Sequence, residues 1–63
     1  MTGLRHCRQR AGMRQQDLAD QIYVSRSTVA NWETGQALPS VTMLPKISAA
    51  LGCTIDSLYD APD

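Results

Sequence analysis

The sequence predicts an all-α fold: a single domain, residues 1–63, made of five short helices. Apolar residues recur at spacings of three and four along the chain, and the stretches that carry them are bounded by small hydroxyl residues in front and glycines behind. The β-branched residues are scattered instead of alternating in runs, which disfavours strands. A chain of 63 residues is near the lower limit for a core without staples, because it buries only about 60% of its unfolded surface.

Thr2 is placed to cap a first helix over Gly3 to Ala11, with Leu4, Cys7 and Ala11 on one stripe and Gly12 as a left-handed stop. A second helix, Gln15 to Ile22, carries Leu18, Ala19 and Ile22 on one side. After Tyr23 and Val24, Ser25 has the position of an N-cap for a third helix with Val29, Trp32 and Glu33 facing inward and Gly35 at its end. Residues 36–39 read as a loop. Ser40 is then expected to cap a fourth helix that turns Val41, Leu44, Ile47 and Leu51 inward and stops at Gly52, with Pro45 distorting its first turn. Thr54 caps a short fifth helix, Ile55 to Tyr59, and a frayed end is expected at Ala61, Pro62 and Asp63.

Composition narrows the function classes. No apolar run approaches the roughly 20 residues that cross a bilayer, and the N-terminus lacks a secretory apolar stretch, so a cytoplasmic protein without membrane contact is expected. Cys7 and Cys53 lack metal-ligand spacing and read as small core residues. No metal or cofactor is expected. The formal charge is zero but polarised: up to Trp32, Arg5, Arg8, Arg10, Arg14 and Arg26 outweigh Asp17 and Asp20 to leave +3, and the remainder carries −3. A basic front half permits a modest phosphate-facing surface.

The decisive spacing lies in residues 15–34, where two short helices are joined by a tight turn, with small Ala19 facing the neighbouring helix. This is the spacing of a helix-turn-helix unit. Drawn at 100° per residue, the third helix sets Ser27, Ala30, Asn31 and Thr34 opposite its apolar side. That side is small and polar enough to enter a groove. Arg26 lies in the first turn of the same helix, where an arginine could pair with O6 and N7 of a guanine.

The run Gln15-Gln16-Asp17-Leu18-Ala19, Val24-Ser25-Arg26-Ser27-Thr28-Val29, Trp32-Glu33-Thr34-Gly35, Pro39-Ser40 and Ala50-Leu51-Gly52 resembles the lambda-repressor and Cro type (XRE-like) of DNA-binding domain. The similarity extends from Leu4 to Tyr59. It implies a compact five-helix fold whose third helix lies in the major groove, and a homodimer that binds a palindromic operator in double-stranded DNA as a transcriptional repressor. It further implies Arg26, Ser27 and Asn31 as base readers and Gln15 as a phosphate contact at the N-terminus of the second helix. Ser25, Thr28, Gln36, Ser40 and Arg14 are further phosphate candidates, with Arg10 adding charge at the edge. Leu58 and Tyr59 are expected to contribute to the dimer contact.

Two residues need separate treatment. Arg8 falls on the inward stripe of the first helix and Glu33 on that of the third, so the two are expected to pair, because an unpaired buried charge is costly. The resemblance implies the same pair. Tyr23 stands in a turn position where the family usually has glycine, at a cost on the order of 1–2 kcal/mol if φ is positive, unless the turn adjusts or the ring gains packing.

An enzyme is not expected: His6 is the only histidine, its neighbour Cys7 points to another side of the helix, and so small a chain lacks walls for a water-excluding pocket. The alternative is a protein-binding module, such as an antitoxin that sequesters a partner protein, using Leu58, Tyr59, Asp56 and Asp60 as its surface.

Overall fold

The computed structural model describes residues 1–59, and within them the chain forms five helices: α1 Thr2–Arg10, α2 Gln15–Ile22, α3 Arg26–Thr34, α4 Met43–Leu51 and α5 Ile55–Tyr59. The expected fraying at Ala61, Pro62 and Asp63 lies outside the described residues, as does Asp60. Among the described residues, no helix is long and apolar enough to cross a membrane.

One core unites all five helices. Leu4 and Cys7 of α1, Leu18, Ala19 and Ile22 of α2, Val29 and Trp32 of α3, Leu44, Ile47 and Leu51 of α4, and Leu58 of α5 are buried together. The most extensive packing joins α1 to α5 and α2 to α3. Ala19 is fully buried, consistent with a small residue being needed at this crossing.

Two starts differ from expectation. Helix α1 begins one residue early, with Thr2 already helical and Met1 in the N-cap position. The Met1 ammonium donates to the Trp32 carbonyl at 2.7 Å, so the chain end is tied to α3. Helix α4 begins at Met43, and Thr42, not Ser40, precedes it. Pro45 accounts for the delay. In a helix capped by Ser40, its missing N–H would orphan the Val41 carbonyl, whereas as the third helical residue it occupies a position whose N–H has no partner within the helix. Val41 is consequently 82% exposed instead of facing the core. The Ser40 hydroxyl lies 3.0 Å from that of Thr42. Met43 N–H and Leu44 N–H donate to the Ser40 carbonyl, forming a single turn ahead of the helix.

Tyr23 closes α2 in the left-handed conformation, with φ +63°. Of the two ways to relieve the strain, neither operates: the turn keeps its positive φ, and the side chain is 94% exposed. Its N–H still bonds the Ala19 carbonyl, which shortens the path from α2 to α3 to three residues.

Candidate nucleic-acid interface

The turn after Tyr23 delivers Ser25 in extended conformation, and its Oγ accepts the Thr28 N–H at 3.2 Å as the N-cap of α3. The same oxygen lies 2.8 Å from Thr28 Oγ1 and 3.1 Å from Ser27 Oγ. Three hydroxyls thus cluster at the N-terminus of α3, where the helix dipole and exposed N–H groups favour an anion. Along α3, Val29, Trp32 and Glu33 are buried while Arg26, Ser27, Asn31 and Thr34 are exposed. A short helix thereby presents one polar face outward and rests on the core through the other.

Beneath α3 lies a continuous polar chain. Arg8 donates through Nε to Glu33 Oε2 at 2.6 Å and through Nη2 to Glu33 Oε1 at 3.1 Å. Its Nη1 donates to the Met13 carbonyl at 2.8 Å, which ties down the link between α1 and α2. The pair is nearly sealed, with side-chain exposures of 11% for Arg8 and 3% for Glu33. Gln15, the first residue of α2, extends the chain to the surface: its Nε2 donates to Glu33 Oε1 at 3.1 Å, and its Oε1 accepts from Arg26 Nη1 at 3.2 Å. The glutamine amide has one useful orientation here, because only its nitrogen can donate to the carboxylate and only its oxygen can accept from the guanidinium. The expected ion pair is therefore present, and it is coupled to two residues that sequence reasoning assigned separately to phosphate and base.

The helix-turn-helix family profile matches residues 4–58. The chain belongs to the XRE-type helix-turn-helix family. It is also similar to the HTH-type transcriptional activator BcrR of Enterococcus faecalis, at 38% identity over 60 residues, which is 95% of this chain. The chain spans only 29% of that relative's length. No solved structure matches significantly.

Within this helix-turn-helix domain the remaining candidates are unevenly placed. Arg14 is exposed but engaged: its Nε and Nη2 donate to Asp17 at 3.1 and 3.0 Å, and its backbone N–H donates to Asp17 Oδ2 at 2.8 Å. Those bonds hold the Asp17 carboxyl below the usual carboxylate range and raise Arg14. A carboxylate thus sits at the N-terminus of α2 beside the expected phosphate contact, with Arg14 offsetting its charge. Gln36 and Ser40 are exposed in the segment between α3 and α4. Arg10 lines a cleft with residues of the α4–α5 turn, apart from α2 and α3.

One expected contact residue is corrected. Leu58 is fully buried, with 0% exposure, because α5 is too short to cover α1 without it. It has no surface to offer a second subunit or another partner. Tyr59, at 50% exposure, retains one. Among the described residues no cluster of three or more metal-ligating side chains occurs.

Proposed function

We propose that this domain is a sequence-specific reader of double-stranded DNA in a transcriptional regulator, with α3 in the major groove. The observation that carries the reading is the outward face of α3: Arg26, Ser27 and Asn31 are exposed on a helix whose opposite face is fixed in the core. Arg26 and Asn31 have the donors and acceptors that discriminate base edges, and serine is small enough to let the helix approach. Gln15 and the hydroxyls of Ser25 and Thr28 contact phosphate at the two helix N-termini, which sets the register of α3 without reading sequence.

The domain acts as a homodimer on a palindrome, since a single short helix reads too few bases to select one site in a genome. Tyr59 contributes to that dimer contact. The sign of regulation lies outside this face: the family resemblance implies a repressor, the similar protein from Enterococcus faecalis is named an activator, and the same bound helix serves either.

Selection of bound DNA from a pool of random duplexes, repeated at two salt concentrations, tests the reading. Enrichment of a palindrome with half-sites about one helical turn apart is expected. Weak binding that disappears at moderate salt, with no enriched sequence, would instead favour the protein-binding module.

A further inference from the structure

Cys7 and Cys53 are 46 positions apart in the sequence, yet both line one open cleft of about 420 Å³ between the end of α1 and the α4–α5 turn. Each is held in place by its backbone surroundings. Cys7 lies in the middle of α1, buried in the core, with its thiol 3.8 Å from the Ser57 carbonyl. Cys53 follows the left-handed Gly52, is half-buried against the core, and its N–H donates to the Ser48 carbonyl at 3.1 Å. Burial first, and the neighbouring Cys7 thiol second, push the Cys53 thiol up to about 11. Cys53 is half-buried, whereas Cys7 is buried. Arg10 lines the same cleft.

We propose that Cys7 and Cys53 form a redox-active dithiol that closes to an intramolecular disulfide on meeting a peroxide, joining α1 to the α4–α5 turn. Cys53 sulfur attacks one oxygen of hydrogen peroxide, forming an S–O bond as the O–O bond breaks; the departing hydroxide takes the thiol proton and leaves as water. Cys7 sulfur then displaces the sulfenic oxygen, forming the S–S bond, and a second water carries away the Cys7 proton. Two thiols are oxidised and one peroxide is reduced to two waters. The raised Cys53 thiol slows the first step, because the thiolate is the nucleophile. No residue of α2 or α3 lines this cleft, so the inference stands independently of the DNA reading.

The test is peroxide treatment of the whole chain, followed by alkylation with iodoacetamide, intact-mass measurement and thermal melting. The expected product is a monomer lighter by two hydrogens that takes up no alkylating group and melts roughly 10 °C higher, returning to its starting melting point with dithiothreitol. The Cys53→Ser variant, changed at a half-buried site, is expected to remain folded and to show no peroxide-dependent rise in melting temperature. Full alkylation at both cysteines after peroxide, stable addition of oxygen without loss of two hydrogens, or a disulfide joining two chains would each overturn the proposal.

Discussion

Arg8 and Glu33 face each other through two hydrogen bonds, 2.6 and 3.1 Å long, in a pocket almost closed to water. Removing one partner strands the other charge in the core, so Glu33→Ala is expected to destabilise the domain by about 3 kcal/mol or more. Replacing both with apolar residues, as in Arg8→Met with Glu33→Leu, removes the stranded charge and should recover most of the loss. Chemical denaturation of the wild type, both single variants and the pair measures this. A single variant as stable as the wild type would remove the pair from the stability of the fold.

Arg26→Ala and Asn31→Ala are each expected to cut discrimination between the selected operator and random duplex by about 1–3 kcal/mol, with the melting temperature nearly unchanged. Gln15 touches Arg26, so the effects of Gln15→Ala and Arg26→Ala on operator affinity should not add. A double-mutant cycle is expected to show a coupling of about 0.5 kcal/mol or more, whereas additive losses would mean that the two residues meet DNA independently.

Tyr23 carries a positive φ with its side chain almost wholly in solvent. Tyr23→Gly should therefore stabilise the domain by about 0.5–1 kcal/mol, the relief of left-handed strain exceeding the added chain entropy of glycine. Thermal denaturation reads this as a rise of several degrees in a domain of this size. A fall would mean that the exposed ring contributes to stability in a way the geometry does not reveal.

Asp17 is held below the usual carboxylate range by the Arg14 side chain and backbone N–H. Its folded-state pKa lies below the unfolded value, so the stability it contributes is present above ordinary carboxylate pKa values and is lost as pH falls through the depressed one. Asp17→Asn keeps an acceptor for the Arg14 N–H and loses the charge. The stability difference between wild type and variant should hold steady near neutrality and shrink on acidification below pH of about 4. A difference that persists unchanged into strong acid would contradict the assignment.

Much of this was legible from spacing alone. Four of the five helices start within one residue of where their caps and apolar stripes place them, and Arg8 and Glu33 betray their pairing because each is a charge on an apolar stripe. What stayed hidden depends on side chains from different helices meeting. Gln15 looks like an ordinary helix start until α3 brings Arg26 and Glu33 to opposite ends of its amide. Likewise, the two cysteines lack any motif because the fold, not the spacing, brings them together. Local effects account for the remaining errors: Pro45 shifts the start of α4 and turns Val41 outward, and the shortness of α5 commits Leu58 to the core.

Helix α1, the first of the five helices to be made, packs most extensively against α5, the last of the five. On the ribosome, α2 and α3 can pair as soon as residue 34 has emerged, and Glu33 arrives together with them to meet a waiting Arg8. Helix α1 gains its most extensive packing only when α5 clears the exit tunnel. Synthesis thus assembles the candidate recognition surface well before the domain can hold it firmly, and a nascent chain stalled in the segment before α5 would display the DNA-facing helix on an unfinished support.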